Sequence, residues 1–527
     1  MRKVLLYDTT LRDGAQTEGI SFSVDDKIRI VLELDKLGIH FIEGGWPGSN
    51  PKDLEFFKRV STLPLKNARV VAFGSTRRPF IKAGVDKNLK YLCRAKTKIV
   101  TIFGKSWDFH VKGVLKTTLA ENICMVGDTV DYLKSQGLKV FFDAEHFFDG
   151  YLSNPEYALK VILAAQDAGA QVIVLCETNG GMLFNQVSDI VKKVRSKIKV
   201  GLGIHAHNDS GMGVANSIAA VLAGCDQVQG TINGIGERCG NANLCTIIAD
   251  LKLKLNIDCI NSKNLKKMAE ISRFVAEICN LKQQPNQPYV GSSAFAHKGG
   301  VHVNAVVKKK RAYEHISPED VGNTRRFLIS ELAGKTSILV KAKNIQLDLS
   351  KDTPQTKKIL NLLQNLEHKG YHFEAADASF ELLMHKALGK YRRFFDLESF
   401  KVVVEKRIDT KTKKPKLFSE ASIKLKVKGV PEHAVAEGDG PVNALDNALR
   451  KALCDFFPKL SEMHLSDFKV RVLDEKAGTA AKVRVLIQSQ DKNNSWSTIG
   501  VSENIIEASW QALADSVEYK LFKDSKK

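Results

Sequence analysis

The run HAHND at 205–209 sets two imidazoles two residues apart, at His205 and His207. On an extended strand, positions i and i+2 face the same side, so both rings share one face. Two imidazoles and one carboxylate from a neighbouring strand make a small divalent-cation site with positions left open for a substrate. The stretch LLYDTTLRDGA at 5–15 supplies the carboxylate, because its apolar run breaks into Asp8, two threonines, Arg12 and Asp13. Asp13 is the expected third ligand, with the fixed positive charge of Arg12 beside it. Asn241, in the glycine-rich run GIGERCGNANL at 234–244, can reach the cation through its amide oxygen. Glu145 and the adjacent His146 read either as an acid–base patch or as part of an ordinary ion pair. His302, in GGVHVNAV, is isolated in the sequence, and on its own it reads as structural.

Residues so far apart need a scaffold that gathers them. Short β-rich runs recur at 4–8, 40–45, 69–75, 98–104, 139–145, 171–180, 199–209 and 226–237. Their spacing of about thirty residues is that of repeated strand-plus-helix units. Between them lie helical patterns such as VDDKIRIVLELDKLGI after Ser23, and NPEYALKVILAAQDAGA, which opens on Asn-Pro and closes at Gly169. The fold class expected is α/β, a (β/α)8 TIM barrel; an open doubly wound sheet is the alternative, because a sequence does not display closure. Most runs end in polar or small residues: Arg12 and Asp13, Glu43, Ser75, Glu145, Thr178, His205 and His207, then Thr231 with Asn233. In a barrel these ends meet on the face where barrel enzymes do chemistry.

From about 255 to 395 the pattern is mostly helical, and after about 398 the runs FKVVVEKR, ASIKLKVKGV, FKVRVLDEK and AAKVRVLIQSQ alternate as antiparallel strands do. Helix candidates at 440–453 and 502–521 follow two strand groups, a faint repeat within one α+β C-terminal domain. The expected division is a catalytic barrel at 1–275, helical linker subdomains at 276–395 and a C-terminal domain at 396–527.

Bulk composition narrows the function classes. With 527 residues, 43% of them hydrophobic, the chain can build several domains. Lysine plus arginine exceeds aspartate plus glutamate by 79 − 59 = 20. The basic residues are dispersed, apart from KKKR at 308–311 and KTKKPK at 411–416, which carry no interleaved aromatics and read as solvated turns. No nucleic-acid partner is expected. No apolar stretch reaches the about 18 residues of a membrane span. Nine cysteines, none paired as CxxC, point to a reducing, cytoplasmic setting. The Gly-x-Gly of GIGERCGN lacks the context of a dinucleotide fingerprint.

Four motifs in order, DTTLRDGAQ, HAHND, NGIGERCGNAN and AFAHKGGVHVNAV, resemble the metal-dependent Claisen-condensing family, whose members include isopropylmalate, homocitrate and citramalate synthases. The resemblance spans essentially the whole chain, including a C-terminal domain like that family's regulatory one. IEGGWPGSNPKD at 42–53 is similar to the citramalate-forming branch; the isopropylmalate and homocitrate branches are the alternatives. Ala15 departs from the commoner RDGEQ and RDGNQ, while Gln16 is kept.

The resemblance implies a divalent cation (Zn, Mn or Mg) held by Asp13, His205, His207 and Asn241. It implies acetyl-CoA and pyruvate as substrates, Arg12 on the keto oxygen of the 2-oxo acid, and Gln16 and Thr178 in substrate binding, Thr178 on the carboxylate. It implies Glu145 and His302 as the acid–base pair, and Tyr313 near the acetyl group. Isoleucine as feedback inhibitor and a homodimer follow from the resemblance alone. Phe103 and Phe142, on neighbouring strands, are expected to limit the depth of the acceptor pocket.

Overall fold

The computed structural model describes residues 2–328, 354–373, 376–408, 415–473, 480–492 and 494–525. Most of the basic run at 411–416 and the end of FKVRVLDEK, from 474, lie outside the described residues. The chain forms two compact units: Met1–Phe295 with Glu314–Arg325, and Ala296–Tyr313 with Arg326–Lys527.

The first unit is a closed barrel of eight strands: β1 (Leu5–Asp8), β2 (Phe41–Gly45), β3 (Arg69–Ser75), β4 (Ile99–Lys105), β5 (Lys139–Glu145), β6 (Val172–Glu177), β7 (Gly201–Ala206) and β8 (Gln227–Gly230). All eight expected runs hold a strand. Parallel pairing of β1 with β8, from Leu5↔Gln227 to Asp8↔Gly230, closes the ring and removes the open-sheet alternative. Side chains alternate between two cores. Tyr7, Phe41, Val71, Phe141 and Val174 fill the barrel interior, whereas Leu6, Ile42, Ala72, Phe142 and Leu175 pack in the larger core that includes the helices.

Local signals set the connecting helices. Ser23 Oγ accepts a hydrogen bond from Asp26 N at 3.1 Å and Asp26 Oδ2 accepts one from Ser23 N at 2.9 Å, a capping box opening the helix Val24–Leu37. Asn154 caps Pro155–Ala168, and Gly169 ends it at φ 106°, where a side chain would be strained.

Two expectations about strand ends need correction. β1 stops at Asp8, so Arg12 and Asp13 sit in the following turn, just before the short 3-10 helix Gly14–Gln16. Backbone bonds from Arg12, Asp13 and Gly14 N to Thr9 O tighten that turn. Phe142 is fully buried in the outer core and takes no part in the pocket, because β5 turns Phe141, Asp143 and Glu145 to the other side.

The second unit contains the parallel pair β9 (Ala296–His297) and β10 (Arg326–Phe327), and the helix Gly300–Lys308. It also holds two three-stranded antiparallel sheets. One is β11 (Phe395–Ile408), β12 (Pro415–Val427) and β13 (Val430–Gly438); the other is β14 (His464–Val472), β15 (Val483–Gln490) and β16 (Ser495–Ser502). The helices Pro441–Leu453 and Ile505–Ser525 follow them, which makes the repeat explicit. The helix Asp377–Ala387 packs with the second sheet: Ser379 accepts from Ile499 N at 3.1 Å and donates to Asp515 at 2.8 Å, while Phe380 and Met384 share a core with Ile499 and Val501.

Candidate active site

The C-terminal ends of the barrel strands surround a cavity of about 220 Å³. Of the residues expected there, Arg12, Asp13, Gln16, Glu145, Thr178, His205 and His207 line it. Trp46, Phe73, Phe103, Asp143, Cys176, Glu237 and Arg238 complete the wall.

Asp13, His205 and His207 each place a donor atom within 4.8 Å of the others, and all three are buried. His205 Nε2 lies 3.2 Å from Asp13 Oδ2 and 3.2 Å from His207 Nε2. His207 follows the last residue of β7 and forms an isolated bridge with Asn241. Asn241 Nδ2 donates to Asp13 Oδ2 at 2.8 Å, while its buried Oδ1 has no hydrogen-bond partner. Two imidazole nitrogens facing each other and a carboxylate form an N2O donor set that fits a small divalent cation.

Electrostatics agree with that fit. Burial alone would raise the Asp13 carboxyl, but the Arg12 guanidinium and both histidines hold it well below the usual range. Burial and the neighbouring His205 push His207 down to about 3, so it stays neutral, as a metal ligand must. Burial works against a charged His205 as well, yet the hydrogen bond to Asp13 raises it.

Arg12 is held from below. Its Nε donates to Glu43 at 2.5 Å, its NH1 lies 3.2 Å from Asp13, and the guanidinium sits 3.9 Å over the Phe73 ring. Glu43 also accepts from Tyr7 OH at 2.6 Å, which is 2.7 Å from Thr101 Oγ1. The positive charge therefore keeps one orientation. Thr178 Oγ1 accepts from His146 N at 3.0 Å, so its own hydrogen is available to an anionic group in the cavity. Arg238 braces the glycine-rich loop: it pairs with Asp209 at 2.8 Å, donates to Thr178 O at 2.7 Å and lies 3.3 Å from His207 Nδ1.

Glu145 faces the cavity and pairs with Lys105. His146 does not pair with it. That residue adopts φ 55° and turns its ring to Asp149 at 3.1 Å. His302 lies on Gly300–Lys308 and stacks on Tyr313 with ring centroids 4.2 Å apart; both belong to the second unit.

Reading the sequence left out Trp46, Phe73, Asp143, Gln229 and Arg238 as site residues. The aromatic wall is packed edge-on and stacked, with Trp46 6.0 Å from Phe73, Phe73 5.5 Å from Phe103, and Trp46 5.7 Å from Phe103. Parity held a usable signal for Asp143, which stands two residues before Glu145 on the same strand. Burial, then the nearby Glu43, raises Asp143 to about 7. Nothing in the local sequence marks Gln229.

Comparison with known proteins adds an independent line. Residues 3–275 match the HMGL-like family model, 289–370 a "Homocitrate synthase post-HMGL domain-like" model, and 374–521 the "LeuA allosteric (dimerisation) domain" model. The chain is 55% identical over 523 residues to an (R)-citramalate synthase of Aquifex aeolicus, covering 99% of this chain and 98% of that protein. It is 55% identical to another from Geobacter sulfurreducens, with the same coverage. A 2-isopropylmalate synthase of Methanocaldococcus jannaschii is 32% identical, over 99% of this chain and 96% of that protein.

Proposed function

The chain belongs to the HMGL-like family, among its (R)-citramalate synthases, and from that premise we propose how its residues carry out the reaction: acetyl-CoA, pyruvate and water give citramalate and coenzyme A. The full-length similarity carries the reaction class and the product. The wall of Trp46, Phe73 and Phe103 supports pyruvate as acceptor, since three packed rings leave space beside Arg12 for a methyl group and little for a branched chain.

Asp13, His205 and His207, with Asn241, would hold a divalent cation (Zn, Mn or Mg). When bound, it supplies Lewis-acid polarisation of the acceptor's keto group. Arg12, locked by Glu43, puts a fixed positive charge where the alkoxide develops. Thr178 donates to the pyruvate carboxylate, and Gln16 binds substrate beside it. The acetyl methyl is a very weak acid, so a base must remove its proton as the enolate forms. The resemblance assigns the role of base to His302, on which Tyr313 stacks, and that of acid–base partner to Glu145. The methyl carbon attacks the keto carbon, and the alkoxide takes up a proton. Water then cleaves the citramalyl thioester, which releases coenzyme A and makes the sequence irreversible.

The LeuA-type model at 374–521 supports regulation and a homodimer through the second unit; isoleucine as the inhibitor follows from the citramalate-forming reading alone. Nine free cysteines support a reducing, cytoplasmic location. Among the described residues, no helix is long and apolar enough to cross a membrane.

The test is thiol release from acetyl-CoA with a panel of 2-oxo acids. Pyruvate should give the highest kcat/KM. A higher value with 2-oxoisovalerate would move the protein to the isopropylmalate branch, and one with 2-oxoglutarate to the homocitrate branch.

A further inference from the structure

We propose that Gln229 is a positioning residue for the metal centre: braced by Asp143, it fixes His205 as the tautomer whose Nε2 is free to bind the cation. The inference rests on the reading of Asp13, His205 and His207 as metal ligands.

Gln229 lies on β8, fully buried, and is the cross-strand partner of His205 on β7. Its Oε1 is 3.0 Å from His205 Nδ1, and its Nε2 is 3.1 Å from Asp143 Oδ1 on β5. The three groups thus form one chain across the barrel interior, from a cavity-lining carboxyl to a ligand imidazole.

A carboxamide has two unlike ends, and with Asp143 ionised only one arrangement satisfies both neighbours. Its NH2 must face Asp143, because an amide oxygen against a carboxylate would be repelled. A protonated Asp143 would donate to the amide oxygen and permit the flip, so the preference belongs to the ionised carboxyl, whose Oδ1 faces the amide Nε2 here. The amide oxygen then faces the imidazole and can only accept. In the neutral ring that a cation requires, His205 must therefore carry its one hydrogen on Nδ1. Its Nε2, turned to Asp13 and His207, is left with the lone pair a cation needs. Flipping the amide would put its NH2 on Nδ1 and drive the hydrogen onto Nε2, which abolishes ligation and sets oxygen against oxygen at Asp143.

The experiment uses the full chain, stripped of metal and titrated with cobalt(II) against a chelator. The readouts are the dissociation constant, the visible spectrum of the loaded protein and the thermal midpoint of the stripped protein. Gln229→Leu should weaken cobalt binding by about 10–100-fold and alter the spectrum. Gln229→Glu combined with Asp143→Asn, which keeps an acceptor on Nδ1 and an N–H donor between the two side chains, should restore affinity to within about 3-fold of the parent, a rescue that a purely packing role would not give. As a measurement on the unsubstituted protein, ¹⁵N-imidazole NMR of the zinc-loaded form should show His205 with its hydrogen on Nδ1 and zinc on Nε2. Parent-like affinity and spectrum in Gln229→Leu, or a His205 hydrogen on Nε2, would overturn the inference and leave the metal centre standing. A parent that binds no stoichiometric cobalt would remove the metal centre, and the inference with it.

Discussion

The second unit and the barrel cavity bury charge in opposite ways. In the second unit, buried carboxylates meet ammonium groups: Lys520 is 2.7 Å from Asp491, Lys386 3.0 Å from Glu518, and Lys523 3.0 Å from Glu381. Around the barrel cavity, Asp13 and Glu43 share the single guanidinium of Arg12, and Asp143 is paired with a neutral amide. A closed set of pairs stabilises packing and offers nothing to a ligand, whereas a buried surplus of negative charge is stable only with a further cation nearby. The surplus thus marks the barrel mouth as the place for a metal.

The sharpest way to break this contrast is to remove a donor from the deficient site. His207→Ala should lose the cation and lower turnover by about 10³-fold or more, since several kcal/mol of charge stabilisation go with the metal. The barrel should remain folded. Metal analysis, thiol release and circular dichroism on one preparation decide it; stoichiometric metal at parental affinity would contradict the ligand set.

A smaller effect is expected from the brace under Arg12. Glu43→Gln keeps the shape but removes the charge that orients the guanidinium. It should lower kcat by about 10²-fold with a smaller change in the KM for acetyl-CoA. An unchanged kcat would show that Arg12 needs no support from below.

On the wall, Phe73→Ala should shift the kcat/KM ratio of 2-oxoisovalerate to pyruvate upward by about 10-fold, the worth of one or two methylenes of space. A fixed ratio would deny the wall any part in acceptor choice.

The second unit should answer differently. A chain ending near residue 395 keeps the barrel, His302 and Tyr313, and should lose inhibition by isoleucine while retaining part of its thiol release. Equal inhibition of both chains in an isoleucine titration would put the effector on the barrel.

The smallest effect concerns Asp8, fully buried at the end of β1, where desolvation raises its carboxyl to about 7. The folded state then holds a proton that the unfolded state releases. The stability it contributes is full below about 4 and is lost as pH rises through about 7. Asp8→Asn cannot ionise, so its thermal midpoint should gain on the parent's by about 5 °C between pH 5 and pH 8. Parallel curves would mean that Asp8 is neutral in neither state, or charged in both.

Much of the barrel was legible without coordinates. The eight strands stand where β-rich runs stood, and the helices from Val24 and Pro155 begin at the caps their residues advertise. β13 and β16 were not foreseen, since VPEHAVAEG and SWSTIGVS carry Pro, Gly, Ser and charge that blur a period-2 pattern. The helix Asp377–Ala387 was also unspecified, because its allegiance to β16 is a matter of packing over more than a hundred residues of chain. Of the site, Asp13, His205 and His207 were legible by type and parity, and they do lie within 4.8 Å of one another. Trp46 and Phe73 were not, because an aromatic on a strand fills a core as readily as it lines a pocket.

What the sequence determined by itself is everything set by neighbours along the chain: the strand and helix periods, the caps, and the shared face of His205 and His207. These depend on contacts a few residues apart, which composition and spacing encode directly. Tertiary structure alone decided the rest. Closure of β1 on β8 made a barrel of an alternating pattern. The register of β7 on β8 set Gln229 against His205, and the reach across the barrel brought Asp143 to the same amide. Register and closure arise from all eight strands packing at once, so a hydrogen bond between residues 86 positions apart has no local signature to be read.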